Sequence, residues 1–132
     1  MLKAEQVTIH GDGKDLRDYV FVGDVARANV LALESELPET TMVLNVGTGI
    51  GTNVNHLATE IRPLCEKPRL QAGETQPVPA PRHGPERAGD LRSSLVSYQR
   101  IADVLGWQPM VPLTDGLQRT VQWFSASLET DP

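Results

Sequence analysis

The stretch Ile9-His10-Gly11-Asp12-Gly13-Lys14-Asp15-Leu16-Arg17-Asp18-Tyr19-Val20-Phe21-Val22-Gly23-Asp24-Val25 carries strand, turn and helix signals in succession. Val7 and Ile9 alternate with polar neighbours, so Gln6 to His10 reads as a short strand. His10-Gly11-Asp12-Gly13 is turn chemistry, because glycine takes positive φ freely and aspartate bonds its own backbone. Asp18 to Val22 reads as a second strand, and the two are expected to form a hairpin-like pair. Asp24 is placed to cap a helix running from Val25 to Glu34, with Pro38 closing the region.

Downstream, the run Met42 to Val46 is apolar and β-branched, which predicts a buried strand. The glycine-rich turn Gly47-Thr48-Gly49-Ile50-Gly51 follows, and Asn53 starts a helix. Val54, Leu57, Ala58, Ile61, Leu64 and Cys65 lie on that helix with one apolar spacing, and Pro63 is expected to distort its last turn. Glu66 to Gly89 is crowded with prolines and reads as a long loop, or as a loop around one short strand near Arg69 to Gln71. Asp90 to Val96 is expected to be extended. Ser97 is placed to cap a short helix, Tyr98 to Leu105, which Gly106 ends in the left-handed conformation. A last helix is expected from Thr114, docking a stripe of Leu113, Leu117, Val121 and Phe124. The class is α/β: a small mixed domain of short strands and about four helices.

Composition narrows the function. The chain has 132 residues, which suits one domain, and a formal net charge of −5. No basic stripe is present, so nucleic acid is excluded as a partner, although isolated arginines can still bind a small anion. Cys65 is the single cysteine, which excludes an internal disulfide and reads as a buried apolar residue. His10, His56 and His83 share no metal-ligand spacing. No apolar run is long enough for a membrane span or a signal peptide, so the cytoplasm is the expected compartment.

The glycine turn at 47–51 follows a strand signal and precedes a helix, the context of a phosphate loop. The dinucleotide fingerprint G-x-G-x-x-G would need its third glycine where Thr52 stands. The acidic strand end expected about twenty residues later is also missing. The turn therefore reads as structural.

Five segments, in order, carry a resemblance. Ile9 to Val25 resembles the GDGxxxRDxxxVxDV segment of extended short-chain dehydrogenases, in the branch of NAD-dependent epimerases and dehydratases of nucleotide sugars. Asn45-Val46-Gly47-Thr48-Gly49 looks like the NVGTG turn of that family. Arg87-Ala88-Gly89-Asp90 looks like its R-P-G-D motif, and Leu105-Gly106-Trp107-Gln108-Pro109 like LGWxP. Leu113 to Phe124 resembles the closing helix. The resemblance implies the C-terminal substrate domain of a UDP-glucose 4-epimerase-like enzyme, residues 1–132, without the Rossmann half. It begins almost at Met1, so the chain is expected to be a piece of a larger enzyme.

The resemblance also implies roles. Arg17 and Arg87 match arginines that contact the diphosphate of a UDP-, dTDP- or GDP-sugar, a task suited to a planar, always charged guanidinium. Asp90 matches the carboxylate that accepts from ribose hydroxyls. Thr8, Ile9 and His10 match the strand beside the nucleotide base. Ser94 falls where the family controls room around the 2-position of the sugar, and a small residue there would admit an N-acetyl group. On the residues alone, Arg17 could instead pair with Asp18 or Asp24 at a surface, Arg87 could be a solvated loop residue, and Asp90 a turn residue.

The family's catalytic Tyr-x-x-x-Lys pair is not found, since Tyr19 precedes Gly23 and Tyr98 precedes Ala102 at that spacing. No catalytic, cofactor or metal residue is therefore assigned. NAD(P) is implied only for the complete enzyme, where a sugar hydroxyl is transiently oxidised on the way to epimerisation or dehydration. The chain alone is expected to be inactive. The alternatives are a free-standing, non-catalytic nucleotide-sugar binding module, or a structural protein that uses the scaffold to dimerise. A domain without its neighbour can expose an apolar patch, which makes a homo-oligomer conceivable.

Overall fold

The computed structural model describes residues 1–38 and 40–130. Its elements are β1 (Thr8–His10), β2 (Leu16–Asp18), α1 (Val22–Glu34), β3 (Gly51–Asn53), α2 (Val54–Gln71), β4 (Arg82–Gly84), β5 (Ser93–Ser94), α3 (Gln99–Leu105) and α4 (Leu113–Thr130). This is the small mixed α/β arrangement expected from the sequence.

The strands pair differently from the expectation. β1 and β2 do not form a hairpin. β1 pairs in parallel with β4, and β2 lies between β3, antiparallel, and β5, parallel. The turn between β1 and β2 turns the chain from one sheet into the other. Gly13 is required there: its φ is +67°, and a Cβ would collide with the Asn55 side-chain amide at the start of α2. The expected strand at Met42–Val46 forms no ladder among the described residues. Leu44 and Val46 instead turn alternate side chains onto a helix-lined core.

Two helix boundaries also differ. α1 starts at Val22 behind an extended Phe21, and no side chain caps it. Asp24 is buried in its first turn and reaches across the chain instead. Its carboxylate takes Arg27 Nη2 at 2.8 Å, Met110 N at 3.0 Å and Val111 N at 2.9 Å, while its carbonyl accepts from Trp107 Nε1 at 2.9 Å. Asn53 caps α2 as expected, accepting from His56 N at 2.8 Å. That helix continues through Pro63 and Pro68 to Gln71, so the loop expected from Glu66 begins only after Gln71. The strand in the proline-rich segment is β4, not Arg69 to Gln71. Arg69 is buried in the last helical turn, where it donates to Leu2 O at 2.9 Å and pairs with Glu74.

Two apolar clusters hold the elements. Ala28, Ile101 and Trp107 join α1 and α3, with Leu31, Tyr98 and Leu105 around them. Cys65, Val78 and Val121 join α2 and α4, with Ile61 and Leu64 alongside. Gly106 ends α3 at φ +64°, as expected for a left-handed cap. On α4, Val121 is buried as the apolar stripe predicts. Phe124 remains half exposed and meets the ring of Trp123 edge to face.

Candidate nucleotide-sugar site

β2 and β5 place Arg17 and Ser94 opposite one another in parallel register, so both side chains leave the same face of the sheet. Arg17 is half buried. Its Nη1 donates to Leu16 O at 2.9 Å and to Leu91 O at 2.7 Å. Two carbonyls orient the guanidinium without neutralising it, and among the described residues it has no ion pair. The surface pairing with Asp18 or Asp24 does not occur, because both carboxylates are taken elsewhere.

Asp18 points to the other side of β2 and fixes the glycine turn. It accepts from Thr48 N at 2.8 Å, Thr48 Oγ1 at 2.6 Å and Gly49 N at 2.8 Å. Burial pushes its pKa up, but these bonds and one from the Val96 N–H outweigh that, leaving it below the usual carboxylate range. A Cβ on Gly47 would strike Asp18 and Val96, which explains the glycine there. The Thr48 and Gly49 N–H groups a phosphate loop would offer are thus directed at Asp18. The turn does not fit a dinucleotide, and the reading of it as structural holds.

Leu91, which anchors Arg17, directly follows the exposed turn Arg87–Asp90, closed by a backbone bond from Asp90 N to Arg87 O at 3.4 Å. Gly89 takes φ +89° in that turn. Arg92 holds the turn against the β1–β2 connection through Asp12 at 2.9 Å and Asp15 at 3.2 Å, and pairs with Glu86 of its own loop at 3.5 Å. The N–H of Lys14 is the largest influence that lowers the Asp12 pKa. On the other side, His10 Nδ1 lies 3.2 Å from Pro85 O, and Gly11 N donates to Gly84 O at 3.0 Å. The end of β1 therefore abuts the start of the same loop.

Arg87, Asp90 and Ser94 lie in the segment 85–94, and Arg17 and His10 abut it, whereas Thr8 lies beside Arg82 and Gly84. Ile9 differs: its side chain is buried and faces α2, so only its backbone belongs with Thr8 and His10. A groove of about 410 Å³ lies on that opposite face, lined in part by Ile9, Asn55, Arg62 and His83. Asp18 and Arg92 were missed as residues that shape the site. Asp18 stands inside the Arg-Asp pair of the motif, but its partners lie some thirty residues away. Among the described residues no group of histidine, cysteine and carboxylate side chains could hold a metal ion, and no helix is long and apolar enough to cross a membrane.

The family model and the relatives of this fold define the class, the NAD-dependent epimerases and dehydratases of nucleotide sugars. The chain belongs to the family whose model is described as GDP-mannose 4,6 dehydratase, which matches residues 1–120. It is 40% identical over 124 residues to a UDP-glucose 4-epimerase of Mycolicibacterium smegmatis, covering 94% of this chain and 36% of that protein. A UDP-glucose 4-epimerase from Thermotoga maritima, solved with UDP-glucose, superposes with a TM-score of 0.76 at 42% identity, over 97% of this chain and 37% of that one. A UDP-glucose 4-epimerase of Thermus thermophilus, solved with NAD, gives a TM-score of 0.72 at 33% identity, over 93% of this chain and 36% of that one. The chain spans little more than a third of the length of these relatives.

Proposed function

We propose that this chain is the part of an NAD-dependent epimerase or dehydratase that binds the nucleotide diphosphate sugar, with Thr8, the Ile9 backbone, His10, Arg17, Arg87, Asp90 and Ser94 as its contacts. The observation that carries the reading is Arg17: a half-buried guanidinium, fixed by two carbonyls and left without a carboxylate partner. Such a group suits a diphosphate, which supplies the missing negative charge and accepts paired N–H bonds. Arg87, on the adjoining turn, would take the second phosphate. Asp90 would accept from the ribose hydroxyls, and Ser94 would border the sugar.

In the complete enzyme a nicotinamide cofactor would supply the hydride acceptor. The residues of this chain would bind and orient the sugar, and the nucleotide's binding energy would help hold the reacting carbon in place. That longer relatives were solved with UDP-glucose and with NAD supports both ligands for the complete enzyme.

Thermal melts with UDP-glucose, dTDP-glucose and GDP-mannose test the proposal. A ligand bound only by the folded state raises the melting temperature by mass action. One of the three is expected to raise it, and Arg17→Ala and Arg87→Ala are expected to abolish the rise. No rise with any of them would count against a site on this chain. Ser94→Tyr is expected to weaken UDP-N-acetylglucosamine more than UDP-glucose, and an unchanged ratio would remove Ser94 from the sugar's border.

A further inference from the structure

Arg82 has no part in the roles above, yet it stands on the face of β1–β4 that carries Thr8 and His10. Thr8 and Arg82 are opposite each other in the parallel register. Arg82 Nε donates to Thr8 Oγ1 at 3.0 Å, which tethers the guanidinium along the strand face. Among the described residues no carboxylate pairs with it, and its Nη groups make no hydrogen bond. A guanidinium has several donors and no acceptor, so the tether leaves an edge of N–H groups facing outward.

Gly84 adds no side chain to the floor beside that edge, and the Thr8 methyl stands over it. Gly84 lies opposite His10. A Cβ on Gly84 would come within 2.9 Å of Thr8 Cγ2 and 3.9 Å of His10 Nδ1, so any other residue would crowd the space between them. A surface of glycine backbone and one methyl, bordered by an imidazole and a guanidinium, suits a planar ring. Guanidinium N–H groups pair with keto oxygens and leave an amino group facing them unsatisfied.

We propose that Arg82 is a specificity-determining residue: its Nη groups donate to the keto oxygen at position four of a pyrimidine base, so the site selects uracil over cytosine. This rests on the functional reading above, which seats the base beside Thr8 and His10. Cytosine carries an amino group at position four, which sets donor against donor and leaves the arginine unpaired.

Calorimetric titration of this chain with UDP-glucose and CDP-glucose tests the assignment. The unsubstituted protein is expected to prefer UDP-glucose by about tenfold or more, the scale of one charged hydrogen bond. Arg82→Ala is expected to lower UDP-glucose affinity about tenfold and leave CDP-glucose nearly unchanged, which brings the ratio toward one. Thr8→Val, which removes the tether, is expected to act in the same direction. Arg17→Ala is expected to weaken both ligands alike. Melting temperatures of the exposed Arg82 variants confirm that the fold is kept. If the preference persists in Arg82→Ala and Thr8→Val, or if both ligands weaken equally in them, the role of Arg82 is overturned and the functional reading stands. If the unsubstituted protein binds neither ligand, both fall together.

Discussion

Asp24 is 2% exposed, and both its carboxylate oxygens are hydrogen-bonded. Desolvation raises its pKa, but the bonds from Arg27, Val111 and Met110 outweigh that and the net shift is downward. Asp24→Ala leaves two part-buried backbone N–H groups without an acceptor and removes the carboxylate partner of Arg27, which keeps its bond to Gln108 O, and is expected to cost about 2–4 kcal/mol in urea unfolding. Asp18 is shifted in the same direction. A carboxyl with a lowered folded pKa binds fewer protons folded than unfolded. Its stabilisation is therefore complete above the unfolded value of about 3.9 and disappears as pH falls through the folded value. Acid titration of stability should show this loss, and Asp24→Asn should reduce it. Cys65 behaves oppositely: burial raises its thiol pKa, so a disulfide reagent should label it only when the chain unfolds. The sequence identified Asp24 as a helix-start residue but not its tertiary role, because Met110 and Val111 lie far along the chain. Arg17 is singled out by a long motif, but the two carbonyls that orient it, Leu16 O and Leu91 O, carry no sequence signal. Arg82 carries no motif signal, and only the β1–β4 register reveals it.

At the scale of elements, α2 shows where local rules lose to packing. Proline removes one helical hydrogen bond and crowds the preceding turn, so Pro63 argued for an early end. Ile61, Leu64 and Cys65 on either side of it nonetheless pack in the cluster shared with Val121 of α4, and that burial carries the helix to Gln71. Pro63→Ala restores an N–H and relieves the crowding. It is expected to raise stability by about 1–3 kcal/mol and to increase helical circular dichroism. Strand pairing was less legible than helices. Three-residue strands carry little periodicity, and their partners lie far away in sequence, as with Thr8 and Arg82. The hairpin reading failed for that reason. The NVGTG turn was read correctly because a glycine missing from the fingerprint is a local fact.

At the scale of the molecule, two small clusters among the described residues stand where one large core could have been. Ile101 is central to the first, and Ile101→Ala is expected to cost about 2–4 kcal/mol. Tryptophan emission should report the two environments separately. Trp107 is fully buried and Trp123 is 65% exposed, so iodide should quench the chain's emission only in part, and Trp123→Phe should leave it unquenched. Five motifs in chain order carried the family assignment, since their spacing constrains the whole chain in a way no single motif does.

We propose that Arg17, Arg87, Asp90 and Ser94 form one anion-and-sugar site with the outward face of β1. The most direct test is to record amide nuclear magnetic resonance spectra of this chain during titration with UDP-glucose. Saturable shifts are expected to concentrate at Thr8, His10, Arg17 and residues 87–94, and to vanish in Arg17→Ala. Shifts centred on the α2–β4 groove at Asn55, Arg62 and His83, or no shifts at all, would contradict it.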